Sequence, residues 1–132
     1  MKTKITAIIE RSSDGEYSIY TREKLDKIGL HGYGSTPEEA IKDFWEAYDE
    51  MKELLNGNVP EIEVTFKYDV ASFLREFKNI LSLSGLEIVT GVHQKQLHHY
   101  LTGNSKPSKG SIEKIERGVH DLAQKLSEIE FA

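Results

Sequence analysis

The stretch STPEEAIKDFWEAYDEMKELLNG, residues 35–57, constrains the fold more than any other part of this chain. Thr36 and Glu39 have the spacing of a capping box, and Pro37 suits the first helical position. Gly57 is placed to stop the helix. The apolar residues recur at spacings of three and four, which predicts one buried stripe: Ile41, Phe44, Tyr48, Met51 and Leu55. A helix with a single apolar stripe must pack against another layer of structure.

Strand-like sequences stand on both sides of this helix. KITAIIE and EYSIYTR alternate apolar and polar residues around Asp14-Gly15, which predicts a hairpin. The stretch 24–34 has a less clear pattern, but its end, GLHGYG, is consistent with a short third strand, and EIEVTFK predicts a fourth. The predicted class is therefore α+β, with a domain at residues 1–68 in which one helix covers a three- to four-stranded sheet.

The second half, residues 69–132, shows only helical periodicity. VASFLREFKNIL places Phe73, Leu74, Phe77 and Leu81 on one face of a first helix. Short helices are predicted at 86–90 and 93–101, followed by a loop that includes Gly110. Ser111 is predicted to cap a long final helix, 111–129. This half is expected to form a separate all-α domain.

Composition excludes several classes of protein. The 132 residues suit one ordinary domain or two small ones, and the lack of cysteine excludes a disulfide scaffold and a thiolate metal site. No apolar run resembles a secretory signal or approaches the ~20 residues of a membrane span, so the expected location is the cytoplasm.

Charge is distributed unevenly along the chain. Residues 1–69 carry 9 Lys and Arg against 15 Asp and Glu, whereas residues 70–132 carry 8 against 7. Between His93 and Gly110 there are three lysines, three histidines and no acid. The acidic half suits a basic protein partner, and the mildly basic half can approach phosphate.

The stretch LEIVTGVHQKQLHHYLTGNSKP has the pattern of a helix-turn-helix. Gly91 supplies the tight turn, and Val92 is the apolar residue that anchors the turn in the core. Leu97 and Leu101 continue the buried side of the second helix. The competing interpretation is an ordinary helical hairpin with a polar surface.

Polar residues at the start of that second helix are the candidate DNA contacts. Glutamine can bond adenine through two atoms, and lysine can bond guanine or a phosphate. The predicted DNA-binding residues are His93, Gln94, Lys95 and His98, with Lys106 and Lys109 in the loop behind them.

These residues resemble the lambda-repressor-like (XRE-type) helix-turn-helix family over about residues 72–127. The resemblance implies that Gln94 and Lys95 occupy base-reading positions and that Gly103 ends the recognition helix. Lys106-Pro107 matches a loop that is common in the family. Glu87 stands where the family usually has a small residue, which predicts altered packing of the helix before the turn.

The first half is similar to the HicB antitoxin family over roughly residues 3–67, through its hairpin, the helix start GSTPEEAI and the strand EIEVTF. The resemblance implies a partial ribonuclease-H-like fold joined to a DNA-binding domain. It also implies an antitoxin of a type II toxin–antitoxin system. Such a protein neutralises a small basic messenger-RNA-cleaving toxin of the HicA type and represses its own operon by binding operator DNA.

Two other functions fit the same residues. One is a transcription regulator whose N-terminal domain senses a small molecule or another protein. The other is an interaction module in which the helical half only dimerises. The neighbouring reading frame would help to separate these readings, because an antitoxin is expected beside a short basic protein.

Catalysis and metal binding are not expected. Glu10, Asp14 and Glu16 are carboxylates of the type that a nuclease needs, but the turn and solvent-facing strand positions account for them. Adjacent histidines on a helix, such as His98 and His99, point in different directions and make a poor chelate. We therefore expect no enzyme activity, no cofactor and no metal.

Two further sets of residues are predicted to make protein contacts. The toxin- or partner-binding set combines possible aromatic anchors with an acidic helix face: Tyr17, Tyr20, Tyr33, Glu46, Glu50 and Glu53. The final helix carries an apolar stripe that we assign to a homodimer or a higher even oligomer: Ile115, Val119, Leu122 and Leu126. A dimer is expected because one recognition helix reads only a few base pairs.

Overall fold

The structure is a computed structural model that describes residues 2–23 and 29–132, and these residues contain four strands and five helices. The elements of the first unit, Met1–Ser72, are β1 (Thr3–Arg11), β2 (Tyr17–Thr21), β3 (His31–Gly34), α1 (Pro37–Leu54) and β4 (Ile62–Tyr68). Helix α2 (Val70–Phe77) crosses into the second unit, Phe73–Ala132. That unit also holds α3 (Leu83–Thr90), α4 (Gln94–Thr102) and α5 (Lys109–Ser127).

The sheet of the first unit has the strand order β3-β2-β1-β4. Strand β1 pairs antiparallel with β2 and parallel with β4, so the sheet is mixed. The predicted α+β class and the small sheet are confirmed, with four strands. Of the stretch with the less clear pattern, residues 24–28 lie outside the described residues.

One face of this sheet packs against α1 and forms the core. Alternation along β1 sends Ile5, Ala7 and Ile9 into that core, where α1 contributes Phe44 as its largest fully buried side chain. Phe44 meets Phe66 of β4 edge to face, with ring centroids 5.5 Å apart. The core thus spans the sheet from β2 to β4.

Helix α1 begins as the sequence predicts, with one difference in the cap. The Thr36 side chain accepts a hydrogen bond from the Glu39 backbone N–H at 3.1 Å. The Glu39 carboxylate accepts from the Ser35 backbone N–H at 2.9 Å, where a standard capping box would bond Thr36. Hydrogen bonds from the Ser35 hydroxyl and backbone lower the pKa of Glu39. The helix ends at Leu54, and Gly57 then adopts a positive φ of 79°.

Two glycines bring α1 close to β3. A Cβ atom added at Gly32 would lie 2.8 Å from Phe44 Cβ, and one at Gly34 would lie 2.6 Å from the Ala40 backbone nitrogen. Side chains at these two positions would therefore push the helix away from the strand.

The final helix of the second unit starts earlier than the sequence predicts. Ser108 caps α5 by accepting from the Ser111 backbone N–H at 3.2 Å, so Gly110 lies inside the helix. The prediction that Ser111 is the cap is therefore wrong. The Ser111 hydroxyl instead lies 3.3 Å from the Tyr100 hydroxyl of α4.

Helix α5 crosses α3 at Gly118, which is buried. A Cβ atom added there would lie 2.8 Å from Thr90 Cα and would collide with the Val89 carbonyl. Among the described residues, none of the helices is both long and apolar enough to cross a membrane.

Candidate functional site

Two short helices, α3 and α4, are joined by a tight turn at Gly91 and Val92. Gly91 ends α3 in the left-handed region, with φ 76°, and Val92 follows with only 8% of its surface exposed. The Thr90 hydroxyl donates to the Leu86 carbonyl at 2.7 Å and accepts from the Val92 N–H at 3.1 Å. The turn is therefore held by a left-handed glycine, a buried anchor and one bridging hydroxyl.

The N-terminus of α4 is capped by two side chains. His93 is the N-cap residue, and its Nδ1 accepts from the Lys95 backbone N–H at 3.1 Å. The Glu87 carboxylate of α3 accepts from the Gln94 backbone N–H at 2.8 Å and lies 3.8 Å from His93 Nε2. Glu87 is half-buried beside the buried Leu86. Its large side chain thus caps the next helix instead of packing between helices.

The predicted base-reading side chains lie together on the outer side of α4. His93, Gln94, Lys95 and His98 are exposed, whereas Leu97 is fully buried on the opposite side. An open groove of about 530 Å³ runs along this surface, lined by Leu83, His93, Gln94, Lys95, His98 and His99. Amide, amine and imidazole groups line it, and these can bond both base edges and phosphates.

The other predicted DNA contacts flank the loop after α4. Lys106 lies in the loop and Lys109 is the first residue of α5, and both are exposed. Neither lysine forms an ion pair with another described residue, and the sequence places no acid between His93 and Gly110. Both ammonium groups can therefore meet phosphate oxygens without a competing carboxylate from this segment.

The C-terminal part of α4 is held by contacts that the sequence did not predict. Arg75 Nε donates to the Leu101 carbonyl at 3.2 Å, and the Gln96 side chain bonds the Ser105 hydroxyl at 3.1 Å. Tyr100 is buried and reaches Ser111. The one signal available was that Tyr100 follows Leu97 by three residues, which puts both on the buried side of the helix.

Histidines of this surface are not arranged for a metal ion. The rings of His98 and His99 have centroids 6.5 Å apart and are tilted by 58°. The Nδ1 atom of His99 lies 2.9 Å from the Asn104 side-chain nitrogen. Within residues 2–23 and 29–132, no group of three His, Cys, Asp or Glu side chains could hold a metal ion.

The predicted partner-binding residues divide into buried and exposed sets. Tyr17 is only 4% exposed, because its place in the β2 alternation turns it into the core, so it is not an accessible anchor. Tyr33 is 63% exposed and stacks on His31, with ring centroids 6.4 Å apart. Glu46, Glu50 and Glu53 are exposed on α1.

Tyr20 lies on the sheet face opposite α1 and is 37% exposed. Its hydroxyl donates to the Glu10 carboxylate at 3.2 Å. Partial burial and the negative charge of Glu10 raise the pKa of Tyr20. Tyr20, His31 and Tyr33 together form an aromatic strip on this face.

The residues of the predicted dimerisation stripe on α5 also differ in their exposure. Ile115 is 5% exposed and packs inside its own unit, so it is not available for a subunit contact. Val119 and Leu122 are half-buried, and Leu126 is 58% exposed. Within the predicted stripe, the accessible apolar surface therefore lies toward the C-terminal end of α5, and Ile129 and Phe131, just beyond the helix, are exposed as well.

Comparison of the chain with protein-family models, with curated proteins and with solved structures found no match.

Proposed function

We propose that this protein is an antitoxin-type repressor that reads a specific operator with α4 and binds a basic toxin with its first unit. The observation that carries the DNA-binding part is the exposed polar start of α4. It follows a capped turn whose Val92 anchor is buried. A helix held in this way can enter the major groove with its first residues toward the bases.

Two kinds of contact are proposed for this surface. Gln94 and Lys95, at the start of α4, read base edges, where a glutamine can bond an adenine through two atoms. Lys106 and Lys109, outside the helix, neutralise phosphates and supply affinity that does not depend on sequence. Removing a base contact should change the discrimination between sequences, whereas removing a phosphate contact should change the affinity for all sequences.

Replacing Gln94 by alanine is expected to remove about 1–3 kcal/mol of discrimination at one base pair, because a bidentate base contact is lost. Lys106→Ala is the matched control. It should weaken binding to all sequences alike and reduce the slope of log affinity against log salt by about one. Fluorescence anisotropy with the promoter of the protein's own operon and with scrambled DNA, at several salt concentrations, measures both effects. Unchanged discrimination in Gln94→Ala would remove Gln94 from the base-reading set.

The proposed partner is a small basic messenger-RNA-cleaving protein, the HicA type implied by the family resemblance. Support comes from the acidic character of residues 1–69 and from the exposed carboxylates Glu46, Glu50 and Glu53 along α1. Long-range attraction speeds encounter, whereas affinity requires a desolvated centre. The strip formed by Tyr20, His31 and Tyr33 offers such a centre.

Reversing Glu46, Glu50 and Glu53 to lysine is expected to slow association with the toxin by about tenfold or more at low salt, since electrostatic steering of charged partners is of this order. The effect should shrink at high salt, where screening is strong. Tyr33→Ala should instead speed dissociation and leave the salt dependence of association unchanged. Stopped-flow or surface-based kinetics with an inactive toxin variant measures both rates.

Growth provides the functional control. Full-length protein co-expressed with the toxin should restore growth and co-purify with it. If neither happens while operator binding is intact, the antitoxin function fails and the DNA-binding function stands alone as a plain transcription regulator.

Dimerisation through α5 completes the proposal. Val119, Leu122 and Leu126 lie on one side of the helix, and a second copy would cover them. A dimer places two α4 helices on one operator, which matches the two half-sites of a palindrome.

A further inference from the structure

The two edge strands of the sheet, β3 and β4, differ in how well they are protected against pairing with another strand. At the β3 edge, the Tyr33 backbone N–H donates to the Asp43 carboxylate of α1 at 2.9 Å. Gly32 and Gly34 bring α1 against the same short strand. The Asp43 side chain thus occupies a backbone N–H that another strand would need for pairing. This is one of the ways in which proteins block an exposed edge.

The β4 edge has no comparable protection among the described residues. Strand β4 has seven residues and pairs with β1 on one side, and no other described strand pairs with it. The Glu61 carbonyl accepts from the Thr3 N–H at 2.8 Å, and the Asp69 N–H donates to the Ile9 carbonyl at 3.1 Å. Peptide groups alternate in direction along a strand, so odd-numbered residues face β1. The N–H and C=O groups of residues 62, 64, 66 and 68 therefore point away from the sheet.

We propose that this edge pairs with β4 of a second copy of the chain, antiparallel and centred on Thr65. Thr65 is the middle residue of Ile62–Tyr68, so the whole strand takes part. In this register Val64 lies opposite Phe66 of the second copy, and Ile62 lies opposite Tyr68. All four residues present outward peptide groups, so each pair can exchange two hydrogen bonds.

Side chains agree with this register. Glu63 lies opposite Lys67 of the second copy, and the twofold axis repeats the pair on the other side of Thr65. All three residues are exposed in the single chain. They fall at non-hydrogen-bonded positions, where side chains are closest and opposite charges attract across the strands. A lysine on an edge strand usually discourages pairing, but here its opposite position holds a carboxylate.

Apolar burial favours the same contact. Val64 and Phe66 are only half-buried on the α1 side of the sheet, and the half-buried Trp45 packs against Phe66 with ring centroids 6.4 Å apart. A neighbouring strand would cover the outer sides of Val64 and Phe66. The contact is isologous, so by itself it closes as a dimer, and together with the α5 contact it would build a higher even oligomer. It is independent of the DNA- and toxin-binding functions proposed above.

Cysteine cross-linking of the full-length protein tests both the pairing and its register. The chain has no cysteine, so Thr65→Cys introduces a single thiol at the twofold axis. Paired positions in antiparallel strands are within reach of a disulfide. Mild oxidation should therefore convert most of the variant into a covalent dimer. Glu63→Cys is the matched control on the same face. Its equivalent in the second copy would be about 14 Å away, at ~3.4 Å per residue, so it should not cross-link to itself.

Charge reversal provides a second, non-covalent test. Glu63→Lys and Lys67→Glu should each weaken the association step that pairs the two β4 strands. The expected loss of affinity is about tenfold, because two attractive charge pairs become repulsive. The double variant should restore that step, as measured by sedimentation equilibrium. Equal cross-linking of Thr65→Cys and Glu63→Cys, or of neither, would overturn the proposal, as would failure of the double variant to restore association. The open edge would then be left for a strand of a different protein.

Discussion

Replacing Gly118 by alanine is expected to lower the free energy of unfolding of Phe73–Ala132 by about 3 kcal/mol, toward the upper end of overpacking effects. The added methyl would meet backbone atoms of Val89 and Thr90 at the end of α3. Backbone cannot rotate away as a flexible side chain can, so α5 must shift outward. Because α3 leads into the turn before α4, we also expect weaker operator binding.

Gly110→Ala is the control in the same helix. Gly110 lies near the start of α5, and a Cβ atom there would meet only Ser108 Oγ, at 3.9 Å. This change should stabilise the unit by about 0.5–1 kcal/mol, since alanine loses less backbone entropy in a helix. Urea unfolding followed by far-ultraviolet circular dichroism compares the two variants. Equal stability of both would mean that α5 does not approach α3 at Gly118.

Gly32→Ala is expected to destabilise Met1–Ser72 by a similar amount, about 3 kcal/mol. The new methyl would lie 2.8 Å from both the Phe44 backbone nitrogen and its Cβ, so α1 must lift from β3. Phe44 is fully buried, and its displacement would loosen the core along its length.

Fluorescence of Trp45 reports this unit selectively, because it is the only tryptophan in the chain and lies on α1. The midpoint of its urea transition should fall sharply in Gly32→Ala. Gly29→Ala is the control, since a Cβ atom there has 3.6 Å to its nearest neighbour, His31 Nε2. A midpoint that moves equally in both variants would contradict the close approach of α1.

The sequence predicted the type of each element more reliably than the exposure of single residues. Periodicity identified α1 and its stripe because the spacing of three and four residues continues over about four turns. The apolar stripe of the final helix led to the prediction that Ile115 makes a subunit contact, and Tyr17 was predicted as an aromatic anchor, but both are buried. Periodicity shows which residues share a face, but the neighbouring elements decide which face is covered. Those neighbours depend on contacts between residues that are distant in sequence.

The choice of helix cap and the order of the strands could not be predicted from local sequence patterns, for related reasons. Ser108 and Ser111 are both acceptable N-caps, and the choice between them depends partly on the contact of Ser111 with Tyr100, which is 11 residues away in another helix. The parallel pairing of β4 with β1 is a property of the assembled sheet. For the candidate site, the sequence supplied the polar residues of α4. It missed Glu87 as a cap, because that role requires the three-dimensional angle between α3 and α4.

On the proposed function, the cap formed by Glu87 determines which residues supply affinity for DNA and which supply sequence selectivity. A helix N-terminus normally offers free N–H groups and partial positive charge to a phosphate. In α4 the Glu87 carboxylate already occupies the Gln94 N–H, and His93 occupies that of Lys95. If α4 binds DNA as proposed, the start of the helix would recognise it through its side chains, which differ in the bases they can read, and attraction to any duplex would fall to the lysines outside the helix. On the proposed function, mutations at 94 and 95 would redirect the protein to new sequences, and mutations at 106 and 109 would adjust how tightly it holds all of them.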